Sequence, residues 1–196
     1  MAKLYFRYGA MGSSKTANAV MVQYNYRERG QQVLMLKPKI ENRDGATVVR
    51  SRCGLVAQCR YVEELGGIDL TGIDCIIVDE CHFMNAAQVR QLVDIVDERE
   101  IPVICYGLRT DFSLKGFPGS TRLLELDHTI EEMKTICTCG RKAICNCRKV
   151  NGRFVFEGEQ VAIDLENDVQ YVSMCPQCYF KAKRAFYAEK AASQAD

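Results

Sequence analysis

No excess of charge runs through this chain: 26 Lys and Arg stand against 25 Asp and Glu, a net +1. Without a general basic field, the composition does not point to nucleic acid as a partner. An uninterrupted apolar run of about 18 residues is also missing, so no segment is expected to span a membrane. No targeting segment is expected either. Met1-Ala2-Lys3 leads straight into an aromatic stretch, which leaves no room for a signal peptide and predicts a cytoplasmic protein. What remains is a 196-residue chain, 47% hydrophobic, enough for one domain with a full core plus a small appendage.

Cysteine breaks this plainness, with 11 in all. Cys53, Cys59, Cys75, Cys81 and Cys105 are scattered singly, whereas Cys137, Cys139, Cys145, Cys147, Cys175 and Cys178 crowd the last third. An odd total without an export signal implies a reducing compartment and metal-bound thiolates rather than disulfides. Cys137-Thr138-Cys139 and Cys175-Pro176-Gln177-Cys178 offer four thiolates, enough for one tetrahedral Zn²⁺. Cys145-Asn146-Cys147 is a competing pair. Between these pairs, Asn151-Gly152 reads as the two-residue turn of a hairpin. Residues 181–196 read as a polar, Ala-rich helix or a frayed tail.

The stretch that organises the rest is Gly9-Ala10-Met11-Gly12-Ser13-Ser14-Lys15-Thr16. Leu4-Tyr5-Phe6-Arg7-Tyr8 before it has the composition of a buried strand, and residues 16–29 after it suit a helix. A small-residue loop between strand and helix points backbone N–H groups at phosphate, and the helix N-terminus adds its positive end. Lys15 would reach the β- and γ-phosphates and the Thr16 hydroxyl would ligate Mg²⁺. The loop lacks one expected glycine: Ser14 stands in its place and must accept a backbone conformation that glycine takes more easily.

Cys75-Ile76-Ile77-Val78-Asp79-Glu80 is an apolar run ending in two carboxylates, the pattern of a parallel strand opening on a ligand crevice. Asp79 is placed to orient Mg²⁺, and Glu80 to accept a proton from a nucleophile near the γ-phosphate. Further strands are expected at residues 33–36, 102–107 and 121–126. A short helix is expected at 61–65, a helix capped by Asn85 through Arg99, and a loop over 108–119. The alternation predicts an α/β fold: a three-layer P-loop nucleotide-binding domain (1–135) with a mainly parallel sheet, a small zinc-binding domain (136–181) and a C-terminal tail (182–196).

Three functions fit such a chain. One is a small-molecule kinase whose substrate lid is the zinc-bound loop. Another is a nucleic-acid-dependent ATPase or helicase-like motor, because Asp79-Glu80-Cys81-His82 spells D-E-x-H. A motor of that kind needs a second lobe to supply an arginine finger, for which this chain has no room. The third is a non-enzymatic zinc interaction module on a degenerate nucleotide fold, which the joint presence of Lys15, Thr16, Asp79 and Glu80 argues against.

Specific segments sharpen the kinase reading. Gly9-Ala10-Met11 with Lys15-Thr16, Val78-Asp79-Glu80-Cys81-His82-Phe83, Tyr106-Gly107-Leu108-Arg109-Thr110-Asp111-Phe112, Cys137-Thr138-Cys139-Gly140-Arg141-Lys142-Ala143 and Glu157-Gly158-Glu159-Gln160-Val161 together resemble the zinc-containing, tetrameric class of thymidine kinases. The likeness runs over residues 3–181 and is greatest toward the bacterial branch. It implies phosphoryl transfer from ATP to thymidine, with Glu80 as general base and with Lys15 and Arg43 stabilising the transferred group. The nucleotide and Mg²⁺ would lie against Gly9, Ala10, Met11, Gly12, Ser13, Ser14, Lys15, Thr16, Asp79, Glu80, Cys81 and His82. Thymine would be walled by Met11, Leu108, Phe112 and Phe117. The lasso residues Gln160, Val161, Ala162, Ile163 and Asp164, with Tyr171, would close over it. The resemblance also implies Zn²⁺ on Cys137, Cys139, Cys175 and Cys178, with Cys145 and Cys147 in the lasso and unligated. A homotetramer and end-product inhibition by dTTP in the same pocket follow from it too, with no nucleic-acid partner. Departures from the family pattern are Ser14 for glycine, His82 for glutamine, Glu41-Asn42-Arg43 for D-x-R, and Asp164-Leu165 for Gly-Gly.

Overall fold

The structure, a computed structural model, describes residues 1–42, 44–160 and 168–193. Its backbone separates into two units. The first comprises Met1–Tyr8, Ser14–Arg109 and Phe117–Met133; the second comprises Gly9–Ser13, Thr110–Gly116 and Lys134–Asp196.

In the first unit the chain runs β1 (Leu4–Tyr8), α1 (Lys15–Arg27), β2 (Val33–Lys37), β3 (Val48–Arg50), β4 (Val56–Gln58) and β5 (Arg60–Tyr61). It continues with β6 (Cys75–Val78), α2 (Ala86–Arg99), β7 (Val103–Gly107), α3 (Pro118–Leu126) and β8 (Thr129–Glu132). Six strands form one sheet in the order β5-β2-β6-β7-β1-β8, and its pairings are all parallel. Successive side chains of a strand face opposite sides, and here the two sides feed two cores. Leu4, Phe6, Leu36, Ile76, Val78, Val103 and Cys105 pack with Val89, Leu92 and Val96 of α2 and Leu123 of α3. Their neighbours Val33, Met35, Cys75, Ile77, Ile104 and Tyr106 pack with Ala19 and Val20 of α1. Strands buried on both faces read as continuous apolar runs, and the three-layer α/β architecture expected from them is present.

The Asn85 cap is present as a full capping box with Gln88. One element differs from expectation: residues 121–126 form helix α3, not a strand. The run Leu123-Leu124-Glu125-Leu126 suits either periodicity, and the deciding signal lies earlier, in Pro118 at the helix start, where its fixed φ favours a helix. Gly119 allows the close approach this helix needs. A Cβ there would lie 2.4 Å from the Cys81 carbonyl oxygen and 2.8 Å from that of Met84. Strand β8, which no apolar run announced, is a polar edge strand held by the Arg7–Glu131 ion pair at 2.6 Å.

The second unit holds β9 (Thr135–Ile136), β10 (Lys142–Ala143), β11 (Cys145–Val150), β12 (Arg153–Val155), β13 (Val169–Met174) and α4 (Pro176–Ser193). An antiparallel sheet is ordered β12-β11-β13. Asn151 and Gly152 both take positive φ, 50° and 79°, as a type I′ hairpin turn demands. The C-terminal stretch is helical through Ser193. Its Tyr179 packs with Cys145, Cys147 and Phe156, joined by Ala182 and Phe186.

Candidate active site

Ligands of parallel sheets bind beyond the carboxyl ends of the strands, and the chemistry-bearing residues of the first unit cluster there. Lys15 opens α1 and is buried. Desolvation lowers its pKa, opposed chiefly by the charges of Glu80 and Asp79. Asp79, at the tip of β6, is 3% exposed. Burial, and then the charge of Glu80, push its carboxyl up to about 7 against the hydrogen bond it accepts from Thr16. Its Oδ1 is buried with no hydrogen-bond partner among the described residues. An orphaned carboxylate oxygen beside a threonine hydroxyl suits a hard divalent cation, whose ligands are oxygens. The residues present therefore fit Mg²⁺.

Glu80 follows in the left-handed region, φ 52°, a strained conformation of the kind concentrated at functional sites. With Thr16, Lys37, Glu41, Asp44 and Asp79 it lines a cleft. Glu80 Oε2 lies 3.4 Å from His82 Nδ1. The same nitrogen faces the Leu108 N–H at 3.3 Å. The His82 ring lies edge-on to Phe117, centroids 4.5 Å apart. Cys81 is wholly buried beneath Gly107, where a Cβ would come within 2.7 Å of its sulfur. Lys37 had no role in the sequence reading. Its ammonium donates to the Gly45 and Val48 carbonyls at 2.6 and 2.8 Å and so ties down the loop that carries Glu41 and Asp44. Arg43 lies outside the described residues.

The phosphate loop has the expected bends. Gly12 takes φ 76° and Ser14 φ 59°, so serine does adopt the conformation of the missing glycine. Gly9, Ala10, Met11, Gly12 and Ser13 belong to the second unit by their contacts. The Ser13 N–H donates to Ala10 O, Thr135 Oγ1 donates to Gly12 O, and the Met11 N–H donates to Asn146 Oδ1 at 2.9 Å.

Strand β11 organises the remaining candidates. Cys145 and Cys147 face the apolar core under α4, and burial pushes the Cys147 thiol up to about 12. The alternate residues Asn146 and Arg148 are buried polar groups. Asn146 also donates to Thr110 O, and Arg148 lies over the Phe112 ring, 3.8 Å from its centroid. Phe112 is 1% exposed, and its carbonyl accepts from Tyr179 Oη at 2.8 Å. Tyr171 pairs with Arg148 across β11 and β13. Gln160 donates to Gly116 O. Of the expected thymine wall, Met11, Phe112, Gln160 and Tyr171 belong to the second unit and Leu108 and Phe117 to the first. Val161, Ala162, Ile163 and Asp164 lie outside the described residues. The part played by Arg148 had no local signal, because it depends on a loop folding its carbonyls back onto the strand and on a ring from another segment.

The sulfur atoms of Cys137, Cys139, Cys175 and Cys178 all lie within 4.8 Å of one another. Zn–S bonds of about 2.3 Å in a tetrahedron put sulfurs about 3.8 Å apart, so this set fits zinc. Backbone N–H bonds, first from Cys139 and then Cys175, lower the Cys137 thiol to about 6. The Cys175 thiol is lowered as well, first by the Cys178 backbone N–H. Cys178 is raised to about 12, first by its hydrogen bond to the Cys175 sulfur. Metal binding to such a set displaces whatever thiol protons it holds.

A family model described as thymidine kinase matches residues 2–179. The chain belongs to the thymidine kinase family. It is 42% identical over 187 residues to the thymidine kinase of Francisella tularensis subsp. holarctica, covering 89% of this chain and 95% of that one. To the thymidine kinase of Yersinia pestis it is 43% identical over 196 residues, covering 94% and 98%. The Legionella pneumophila (strain Lens) thymidine kinase is 44% identical over 186 residues, covering 89% and 88%. Among solved structures, the Pif1 helicase from Candida albicans aligns at a TM-score of 0.42 with 13% identity, over 69% of this chain and 36% of that chain. Membership of the thymidine kinase family accounts for the conjunction of phosphate loop, strand-tip carboxylates and four-cysteine cluster in one short chain. Among the described residues no helix is long and apolar enough to cross a membrane.

Proposed function

We propose that this protein phosphorylates thymidine, transferring the γ-phosphoryl group of ATP to the 5′-hydroxyl to give dTMP and ADP. The observation that carries the proposal is the cleft holding Thr16, Glu41, Asp79 and Glu80, with Lys15 in electrostatic contact with both strand-tip acids, in a chain of thymidine kinase sequence. Glu80 takes the 5′-hydroxyl proton as that oxygen attacks phosphorus and the bond to the β-phosphate oxygen breaks. Lys15 and Arg43 hold the negative charge that spreads over the transferred group. Thr16 and Asp79 would hold Mg²⁺, which when bound neutralises phosphate charge. The loop from Gly9 to Ser14 binds phosphate through its amides, and Cys81 and His82 back the acidic pair.

Met11, Leu108, Phe112 and Phe117 wall the base. Gln160 to Asp164 and Tyr171 close over it and exclude water, the competing acceptor. Zinc on the four cysteines shapes the domain (136–181) that carries this lid, beside a nucleotide domain (1–135) and a tail (182–196). Feedback by dTTP in the same pocket, a homotetrameric assembly and a cytoplasmic location complete the proposal.

The test is a panel of nucleosides and single-stranded nucleic acid offered to the purified protein with ATP and Mg²⁺. Conversion of thymidine to dTMP is expected, with no stimulation of ATP hydrolysis by nucleic acid. Nucleic-acid-stimulated hydrolysis without any nucleoside phosphorylation would overturn it in favour of the motor.

A further inference from the structure

Arg148 sits on the central strand of the small sheet and is 4% exposed. A buried guanidinium needs partners, and here they come from two separate segments. Its face covers the Phe112 ring at 3.8 Å. Its Nη1 donates to the Glu159 carbonyl at 3.0 Å and its Nη2 to the Glu157 carbonyl. Gly158, between those carbonyls, has φ 106°, and a Cβ there would meet Nη2 at 2.7 Å. The backbone at 157–159 is therefore shaped to receive this side chain and no bulkier neighbour. Tyr171 stands opposite on the adjacent strand, and opposed residues of an antiparallel pair share a face. The Nε proton has no partner among the described residues, so stability alone does not call for arginine here; an apolar residue of similar volume would pack without an unmade bond. What arginine adds is a planar fork that lies flat on a ring while bonding two carbonyls, which lysine cannot reproduce.

We propose that Arg148 is a positioning residue of the nucleoside pocket, locking the Phe112 ring and the 157–159 backbone into one arrangement. It touches no reacting atom, and its effect falls on binding of the nucleoside rather than on the chemical step. This rests on the thymidine reading only for the ligand whose KM is measured. The anchoring itself is read separately, from hydrogen exchange of residues 157–160 without any ligand.

The experiment compares wild type with Arg148→Met, Arg148→Lys, Gly158→Ala and the double variant Arg148→Met/Gly158→Ala. Arg148→Met should quicken exchange at 157–160, keep its zinc, and raise the KM for thymidine about 10–100-fold, the scale of a small misplacement in a binding site. Its KM for ATP should stay within about twofold, and Arg148→Lys should fall between. Gly158→Ala displaces the fork without removing it, so it should move both readouts in the same direction. The double variant should move the readouts by less than the two single effects added, because part of each breaks one coupling, while alanine at φ 106° is strained in either background. Unchanged exchange at 157–160 overturns the proposal, as does an equal rise in both KM values or loss of zinc in Arg148→Met. Should Arg148→Met not fold, Gly158→Ala and Arg148→Lys decide by the same readouts. A wild-type protein that leaves thymidine unphosphorylated removes the nucleoside reading, and the exchange data still uphold or overturn the anchor.

Discussion

Glu80 combines three properties seldom met in one glutamate: a strand-tip position, a left-handed backbone at φ 52°, and an imidazole nitrogen 3.4 Å from its carboxylate. A left-handed conformation costs a residue with a side chain about 1–2 kcal/mol. Strain kept at such a point is expected where a proton must move. Replacing Glu80 by Gln preserves shape and backbone demand and removes only basicity. Glu80→Gln should fold with an unchanged thermal midpoint and lose about 10²–10⁴-fold in kcat, the usual contribution of a general base. A kcat close to wild type at saturating thymidine would assign the proton to another group.

The loop after β2 shows how a secondary-structure element sets a site. Lys37 ends that strand 1% exposed, and its two carbonyl bonds fix residues 45 and 48 on either side of the turn. A methionine there would fill similar volume and donate nothing. Lys37→Met should lower stability by about 1.5–3 kcal/mol, the worth of hydrogen bonds to a charged group, read from the denaturant midpoint. It should also reduce kcat, because the loop bearing Glu41 loses its tether. Unchanged stability would mean that the carbonyls find other donors.

That lysine also marks where sequence reading stops. Strands β1 and β6 and helix α2 were legible because their apolar periodicity and caps are local. The phosphate loop was legible because its residues are consecutive, and the four cysteines because their spacing is conspicuous. Helix α3 was not, since its three leucines suit either period and Pro118 was the easily overlooked signal. Lys37, Asn146 and Arg148 drew no functional reading from the sequence, and loop carbonyls and the Phe112 ring are what make them buried partners. Burial of a polar side chain depends on how the chain folds back around it, whether the partner lies 8 residues away or 36, and no local pattern carries that.

The two units differ in what holds them together. The sheet of the first is buried on both faces by helices, an apolar core of the sort that sustains a domain by itself. Among the described residues the second has two small clusters, one around Cys145, Cys147, Phe156 and Tyr179 and one around Cys137, Ala143 and Cys175. So little buried apolar surface does not ordinarily hold a fold, and small units of this kind depend on metals or disulfides. Structural zinc contributes about 10–16 kcal/mol in comparable peptides, more than enough to decide the matter. Chelation should therefore speed amide exchange throughout β11 and β13 while β1, β6 and β7 stay protected. Metal analysis should find about one zinc per chain in wild type and in Cys145→Ser/Cys147→Ser, since those thiols face the apolar core and the cluster lies elsewhere. Cys137→Ser should lose most of its zinc and show the chelated exchange pattern without any chelator. If the double variant loses zinc while Cys137→Ser retains it, the metal sits on the inner pair. If chelation leaves β11 and β13 protected, the second unit owes its fold to packing after all.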